Sequence, residues 1–328
     1  MQERGSGYLF AEGSEIPVPG RSNVARATPP VGHDGIDLLR MARTVYDVAH
    51  PERPWGGKVS GYLWTKSIAA GSLLVAALAT IGGLSAAGPV AALAAPVISL
   101  VFLALTTALL VLDLKRPERF LYLLFKPNPR SWLVWGGFIL MAHGLLAVLW
   151  LAAGWRQDLG ALYLLAWPMV LVTAASAGYS AFLFGQAEGR DFWQSPLVLP
   201  HLLLAAVTAG CASLLLAAMF FAGDPRVAQG VAGALRLLLL ASLLVLLAET
   251  MTTHASHDAA RAARLITRGP YRTRFWLGVV AAGTVLPFVL LMSPVYPWAP
   301  TAAALLTLGG LWLWEDLWVR AGQALPLS

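Results

Sequence analysis

The sequence predicts an all-α integral membrane protein with eight transmembrane helices. Of its 328 residues, 58% are hydrophobic and only 12% are charged, whereas soluble domains carry about 25% charged residues. A soluble fold of this length could not bury so large an apolar excess, because most of its residues would still touch water. The apolar residues also fall into runs of about 20, the length that an α-helix needs to cross the hydrocarbon core. We therefore expect the excess apolar surface to face lipid.

Eight apolar runs are separated by glycine, proline or clustered charges, which interrupt helices. The longest charged breaks are Asp113–Arg130 and Asp258–Arg274. The predicted spans are Tyr62–Gly82, Val90–Leu112, Trp132–Ala153, Leu159–Phe184, Pro196–Ala222, Val231–Thr253, Phe275–Met292 and Ala299–Trp318. An even number of spans places both termini on the same side of the membrane.

The distribution of Lys and Arg residues predicts on which side of the membrane the two termini lie. With eight spans, 19 of the 23 Lys and Arg residues lie on the side of the termini. The opposite side has only Arg156, Arg226 and Arg236, and Lys66 lies inside span 1. Because Lys and Arg are enriched in cytoplasmic loops, both termini are predicted to be cytoplasmic. The same bias accounts for the net charge of +6, so we expect no nucleic-acid partner.

The first 58 residues are polar and form an N-terminal tail (1–58) outside the spans. Within this tail, Gly35–Ala49 has apolar residues at helical spacing, which favours an interfacial helix or a short arm bound to a partner. Further along, Ala69–Leu78 in span 1 weakly resembles Thr208–Met219 in span 5. This internal similarity fits two halves of four helices each.

The lone cysteine, Cys211, excludes several kinds of site. One thiol cannot form a disulfide framework, a CxxC zinc site or a cysteine-ligated iron–sulfur cluster. His254 and His257 form an HxxH pair that lacks the glutamate and the spacing of the HExxH zinc motif. We therefore predict no metal site, and any iron–sulfur cluster that serves this chain belongs to a partner.

Ionisable and phenolic residues gather near the predicted cytoplasmic leaflet. Charges inside spans cost roughly 2.5–3.5 kcal/mol at the centre of the membrane on insertion scales, so each is a candidate functional residue. The residues at this level are Tyr62, Lys66, Asp113, Tyr179, His201, Glu249, His254, His257, Glu315 and Asp316. Only His143 lies near the midplane, roughly 16 Å deep at about 1.5 Å per residue. Haem between helices needs two axial histidines at one depth, so none is predicted.

Each of these residues also has a simpler interpretation. Lys66 lies close enough to the interface to snorkel towards water. Tyr62 and Tyr179 fit the aromatic belt at the membrane surface, and Asp113 could pair with the nearby Arg116. His201 and His257 are expected to be surface residues.

Three segments carry a resemblance to a known family. They are Asp113–Gly136 (DLKRPERFLYLLFKPNPRSWLVWG), Gly61–Gly71 (GYLWTKSIAAG) and Phe192–Pro200 (FWQSPLVLP). Together they resemble the NrfD/PsrC family, the quinone-reactive membrane subunits of polysulfide reductase-like complexes. The resemblance covers the first five spans well and the last three mainly by count and hydropathy. It implies two four-helix bundles, 59–192 and 193–328, without haem.

The resemblance also implies the partners and the location of the protein. Such a subunit passes electrons between a membrane quinone (menaquinone or ubiquinone) and a ferredoxin-like subunit with four iron–sulfur clusters. That subunit in turn serves a molybdopterin or other catalytic subunit. The expected location is the bacterial cytoplasmic membrane. Well-known members carry their iron–sulfur partner outside this membrane, whereas the charge bias here predicts a cytoplasmic partner.

The implied quinone site lies in the first bundle. Counted back from Phe192 and Trp193, Tyr179 matches the tyrosine that contacts quinone in the family, and Tyr62 falls where some members have a histidine. Lys66 is unusual at its position, but an ammonium group could stabilise negative charge that develops on a quinone. Asp113 could relay protons to the surface.

Two other functions stay open at this point. The first is a proton-translocating or transporter-like module, in which His143, Glu249 and His254, together with Glu315, would form a proton path. The nearly uncharged far half of the membrane disfavours a complete path. The second is a passive membrane anchor for a soluble enzyme, in which the polar residues would be interfacial only.

Overall fold

The computed structural model describes residues 55–83, 88–114, 125–187, 189–221, 225–292 and 296–325. The predicted helix at Gly35–Ala49 and positions 115–124 of the family motif lie outside these residues. The described residues form helices joined by short connections, with no strand among them. We number these helices α1 to α9.

Each predicted span coincides with one helix, but four of the helix ends differ from the predicted bounds by four to six residues. The helices are α1 (Gly57–Ile81), α2 (Val90–Asp113), α3 (Trp132–Trp155), α4 (Leu159–Gly185), α5 (Val198–Ala217), α6 (Pro225–Met251), α7 (His257–Thr267), α8 (Arg274–Met292) and α9 (Ala299–Gly322). A short 3₁₀ turn at Asp191–Gln194 precedes α5. The first turns of α2 and most of α8 have π-helical hydrogen bonding.

Seven of these helices, α1 to α6 and α8, are long and apolar enough to cross a membrane. This finding confirms an all-helical membrane protein. Helix α9, the predicted eighth span, has 24 residues but is not among the seven. Its last third carries Glu315, Asp316 and Arg320, which lower its hydropathy. The eighth span therefore stays a prediction.

Helices α1 and α5 cross at the centre of the molecule, where two glycines allow their backbones to touch. A Cβ atom at Gly71 would stand 1.8 Å from the Ala206 carbonyl oxygen, and one at Gly210 would stand 2.2 Å from the Gly71 carbonyl oxygen. Small residues permit such close approach of membrane helices. Both glycines belong to the two internally similar segments, so that similarity coincides with the helix crossing.

The remaining helices pack on either side of this crossing. Helices α2 and α4 pack against α1, and α3 packs against α2 and α4. On the other side, α6 and α9 pack against α5, and α8 packs against α6 and α9. Gly154 of α3 lies against the backbone of Ala92 in α2, and Gly283 of α8 lies against Gly310 of α9. We call α1–α4 the N-terminal helix group and α5–α9 the C-terminal helix group.

Helix α7 was not among the predicted helices, because its sequence was interpreted as a basic loop. Ser256 caps its N-terminus by accepting a hydrogen bond from the Ala259 amide at 3.1 Å. Its apolar side is buried at Ala262 and Ile266, whereas Arg264 on the other side is exposed. The apolar spacing of an amphipathic helix was therefore present among the arginines.

The start of α1, the connection from α4 to α5 and the end of α9 meet at one face, which we call the terminal face. The Trp55 amide donates to Gln323 Oε1 at 3.2 Å, and Gln323 Nε2 donates back to the Trp55 carbonyl. The ring of Trp55 stacks on Trp193 with centroids 4.8 Å apart. Arg190 donates to the Leu325 carbonyl at 2.9 Å. Both ends of the described chain therefore lie side by side.

Candidate functional site

A buried polar cluster of four residues lies between α1 and α4, close to the terminal face. It consists of Tyr62 and Lys66 from α1 and of Tyr179 and Ser180 from α4. Lys66 has no exposed surface, and Tyr179 is only 2% exposed. We call these four residues the tyrosine–lysine cluster. The three residues that were predicted to bind quinone therefore lie together.

Lys66 is held inside the helices by hydrogen bonds to α4. Its Nζ donates to the Ala177 carbonyl at 2.8 Å and also to Ser180 Oγ. The same atom lies 4.9 Å from the centroid of the Tyr179 ring and 5.5 Å from that of the Tyr62 ring, within the range of a cation–π interaction. Lys66 therefore points into the helix group and not towards the interface.

The two tyrosines differ in how their hydroxyls are satisfied. The Tyr62 hydroxyl bonds to Ser180 Oγ. The Tyr179 hydroxyl lies near both of these groups, but it has no partner of ordinary hydrogen-bond geometry among the described residues. Buried hydroxyl groups are normally hydrogen-bonded, so one without a well-aligned partner needs an explanation. A hydrogen bond to a bound ligand would supply one. Gly136 of α3 supports the Tyr179 ring, because a Cβ there would stand 2.3 Å from Tyr179 Cε2.

An apolar groove of about 660 Å³ lies between α2 and α3 in the same helix group. Its volume falls in the range of ligand sites, roughly 300–1,000 Å³. The residues that line it include Leu103, Ala104, Val111, Val134, Gly137 and Leu140. Leu103 and Leu140 also belong to the apolar core that contains Tyr62 and Tyr179. The groove and the tyrosine–lysine cluster therefore share one apolar core.

Asp113 ends α2 at the rim of this region and is partly exposed. Lys58 donates to the Leu112 carbonyl at 2.9 Å and interacts electrostatically with Asp113. Arg116, the partner expected in the simpler interpretation, lies outside the described residues. The structure thus places Asp113 beside Lys58, outside the hydrogen bonds of the tyrosine–lysine cluster.

The residues of the predicted proton path lie in different places. His143 is fully buried, and its ring nitrogens lie 3.0 Å from Ser99 Oγ and 3.1 Å from Ser176 Oγ, so it ties α2, α3 and α4 together. His254 bonds to the backbone carbonyl of Glu249 at 3.1 Å. No hydrogen bond between described residues joins His143 to Glu249 or His254.

A second buried polar cluster lies where α5, α6 and α9 meet. His201 Nδ1 is 3.0 Å from Glu249 Oε2, and its side chain is only 11% exposed. Trp314 Nε1 donates to His201 Nε2 at 2.7 Å, and Trp318 Nε1 donates to Glu249 Oε1 at 2.8 Å. We call these four residues the histidine–glutamate cluster. The prediction that His201 is a surface residue is wrong, because three helices converge on it.

Glu315 of α9 is a further buried carboxyl group, within electrostatic range of both clusters. It is 2% exposed, and its Oε1 atom has no hydrogen-bond partner among the described residues. It interacts electrostatically with His201, Lys66 and Glu249. The next residue, Asp316, has other partners: its carboxylate accepts hydrogen bonds from Ser60 at 3.3 Å and from Arg320 at 2.7 Å.

Known proteins share this sequence pattern over most of the chain. The family described as "Polysulphide reductase, NrfD" matches residues 47–315. The chain belongs to the NrfD family. This result confirms the family that the three motifs indicated, and the matched residues include both polar clusters except Trp318.

Two characterised relatives of this NrfD-family protein are named for redox complexes. The C subunit of polysulfide reductase from Wolinella succinogenes is 29% identical over 206 residues, which cover 56% of this protein and 64% of the relative. The Hdr-like menaquinol oxidoreductase integral membrane subunit of Archaeoglobus fulgidus is 23% identical over 261 residues, which cover 74% of this protein and 63% of the relative. The matched part thus spans just under two thirds of each relative.

The chemistry of the tyrosine–lysine cluster suits an uncharged ligand with carbonyl oxygens. The Tyr179 hydroxyl has no partner of ordinary hydrogen-bond geometry among the described residues, and Lys66 has one N–H left after its two hydrogen bonds, since an ammonium group has three donors. Among the described residues, no three His, Cys, Asp or Glu side chains converge as metal ligands. The cluster therefore offers hydrogen-bond donors and one positive charge in an apolar setting.

Proposed function

We propose that this protein is the quinone-reactive membrane subunit of an oxidoreductase complex. The observation that carries the proposal is the buried Lys66 between Tyr62 and Tyr179, in the helix group that also contains an apolar groove of about 660 Å³. Membership of the NrfD family and the name of the Archaeoglobus relative, a menaquinol oxidoreductase subunit, support it.

The two parts of a quinone match the two parts of this region. The polar head would lie at the tyrosine–lysine cluster, where the Tyr179 hydroxyl and the Lys66 ammonium donate hydrogen bonds to its carbonyl oxygens. The isoprenoid tail would lie along the groove between α2 and α3. Bound there, a quinone supplies two-electron redox chemistry coupled to two protons. A preorganised ammonium group stabilises negative charge on the head, and the stabilisation is large because water is excluded.

The electrons would come from, or go to, a separate iron–sulfur subunit. The only thiol of the sequence, Cys211, is buried in α5, and one thiol cannot hold a cluster. We propose a ferredoxin-like partner with four clusters and a further catalytic subunit of the molybdopterin type. Lys58 is exposed at the start of α1, and the excess of Lys and Arg on the side of the termini suits an acidic docking surface. The name of the Archaeoglobus relative favours menaquinone over ubiquinone.

For the membrane topology, we propose eight spans in two four-helix bundles, with α9 as the eighth. The contact between Trp55 and Gln323 at the terminal face supports this count, because an even number of crossings returns the chain to its starting side. The bias of Lys and Arg residues supports a cytoplasmic position of that face in a bacterial cell. A C-terminal reporter fusion tests the orientation: phosphatase activity, in place of cytoplasmic fluorescence, would refute it.

Replacement of Tyr179 by Phe tests the proposed site. This change removes the hydroxyl but keeps the ring packed on Gly136. Loss of one preorganised donor costs about 10²–10³-fold in turnover in other enzymes, so we expect quinone turnover by the purified complex to fall by that order, with normal assembly. Tyr163→Phe, on the exposed side of the same helix, is the matched control. Normal turnover in the Tyr179 variant would refute the assignment, and a wild-type complex that reacts with no quinone would favour the passive anchor.

A further inference from the structure

A cleft of about 480 Å³ lies in the C-terminal helix group, and we call it the α7 cleft. It is bounded by the end of α6, the loop that follows, one side of α7 and the first turn of α8. Its volume falls in the range of ligand sites, roughly 300–1,000 Å³, and no member of either polar cluster lines it. The residues that line it include Met251, Thr253, His254, Arg264, Arg268 and Trp276.

Two arginines of α7 bring positive charge to this cleft without an acidic partner. Arg264 and Arg268 are exposed and four residues apart, so they share one side of the helix and their charges repel each other. Neither takes part in an ion pair among the described residues, whereas Arg261 pairs with Asp258 at 3.2 Å. A guanidinium group donates two parallel hydrogen bonds to a phosphate. A phosphate bound between the two arginines would therefore relieve their repulsion.

The α7 cleft lies where two membrane-spanning helices end. Met251 is the last residue of α6, and Arg274 is the first residue of α8. The indole of Trp276 lines the cleft and donates from Nε1 to the Thr267 carbonyl of α7 at 3.1 Å. Tryptophan is enriched at the level of the lipid headgroups. The cleft therefore lies at the depth where the phosphate groups of a bilayer are found.

An apolar stripe on α6 leads from this cleft into the membrane. Leu237, Leu244 and Met251 are 70%, 69% and 59% exposed, and residues seven apart lie on nearly the same side of an α-helix. From Met251 to Leu237 the stripe runs roughly 21 Å at about 1.5 Å per residue, more than half of the hydrocarbon thickness of about 30 Å. An acyl chain would cover this stripe, whereas a soluble anion would not. The stripe therefore favours a lipid over a free phosphate as the occupant.

We propose that the α7 cleft binds an anionic phospholipid, with its phosphate between Arg264 and Arg268 and an acyl chain along the stripe on α6. Basic pockets at the ends of membrane helices are suited to such headgroups. No Asp or Glu is among the described residues that line the cleft, so the cation of a zwitterionic headgroup would find no partner there. The bound lipid connects α6, α7 and α8. The proposal depends neither on the quinone site nor on the orientation of the protein in the membrane.

Native mass spectrometry of the full chain in detergent tests the site, by titration with phosphatidylglycerol and with phosphatidylcholine of the same acyl chains. We expect the wild type to bind its first phosphatidylglycerol more tightly than its first phosphatidylcholine. One arginine near a membrane surface contributes about fivefold to the affinity for anionic lipid. The double variant Arg264→Gln/Arg268→Gln should therefore bind phosphatidylglycerol about 30-fold more weakly than the wild type, with no change for phosphatidylcholine.

The matched control is Arg272→Gln/Arg274→Gln. It removes the same charge from two exposed residues of the same basic stretch, which do not line the cleft. This variant should keep the wild-type affinity for phosphatidylglycerol. The comparison separates a lipid site from the general contribution of arginines to membrane topology.

Three results would overturn the proposal. The first is equal affinity of the two double variants for phosphatidylglycerol. The second is displacement of the lipid by an equal concentration of glycerol 3-phosphate, which would indicate a site for a soluble anion. The third is wild-type lipid binding by Arg264→Gln/Arg268→Gln together with loss of a co-purifying subunit, which would indicate a docking surface for an acidic protein. If this double variant does not accumulate, the single variants replace it, and wild-type affinity in both would overturn the site.

Discussion

Replacement of Gly136 by Ala tests whether the position of Tyr179 matters for function. The added methyl group would stand 2.3 Å from Tyr179 Cε2, whereas carbon atoms in contact lie about 3.5–4.0 Å apart. The ring must therefore move by at least about 1.2 Å. Misplacement of a catalytic group by about 1 Å can cost about 10²-fold in rate. We expect a fall in quinone turnover of that order, although neither the hydroxyl nor the charge of the cluster is altered.

The neighbouring glycine provides a matched control. A Cβ at Gly137 meets nothing within 4 Å, so Gly137→Ala adds the same methyl group to the same helix without displacing Tyr179. Overpacking lowers the free energy of unfolding by about 1–3 kcal/mol, and the higher helix propensity of alanine raises it by up to about 1 kcal/mol. Gly136→Ala should therefore still fold. The assay is turnover with a tail-less quinone analogue, which does not occupy the groove that Gly137 lines, normalised to assembled complex. Equal turnover of the two variants would refute the reasoning.

Three further predictions concern the scaffold, the groove and the buried charge. Gly210→Ala should prevent accumulation of the protein in membranes, because the new Cβ would stand 2.2 Å from the Gly71 carbonyl oxygen. Gly309→Ala is the control and should accumulate normally, because Gly309 has open space around it. Equal amounts of the two variants in membranes would contradict the packing of α1 on α5. Ala104→Phe should raise the KM for a long-tailed quinone but not for a tail-less analogue, since it fills the groove; equal KM changes would argue against a tail site. Lys66→Met should lower quinone turnover about 10²–10³-fold, which is the cost of losing a preorganised donor, while blue-native electrophoresis still shows an assembled complex. Wild-type turnover in this variant would show that the ammonium group takes no part in the chemistry.

The spans could be predicted well because length and hydropathy determine them. Helix α4 begins at Leu159 as expected and ends at Gly185, one residue beyond the predicted end. Helix α5 is shorter than predicted at both ends and stops at Ala217, because apolar composition does not mark where helical hydrogen bonding ends. Helix α7 was missed because its arginines outweighed the apolar residues at helical spacing.

The depth of the site residues could be predicted, but their partners could not. Tyr62, Lys66 and Tyr179 were placed in one leaflet and lie together in the structure. Ser180, which bonds to both Tyr62 and Lys66, was missed because a small hydroxyl in an apolar run carries no signal of its own.

His201 was misjudged for a related reason. Its position near the end of a span indicates its depth but not the direction in which the side chain points. Only the convergence of α5, α6 and α9 places it against Glu249. Rotation of a helix about its axis depends on side chains from other helices, and a single sequence does not contain that information in readable form.

Photoaffinity labelling with an azido-quinone tests the central claim most directly. The purified complex would be labelled with and without excess unmodified quinone, then digested and analysed by mass spectrometry. We predict labelling of peptides from α1 and α4 that contain Tyr62, Lys66 or Tyr179, suppressed by competing quinone and reduced in Gly136→Ala. Labelling confined to the C-terminal helix group, or labelling that excess quinone does not suppress, would contradict the proposed quinone site.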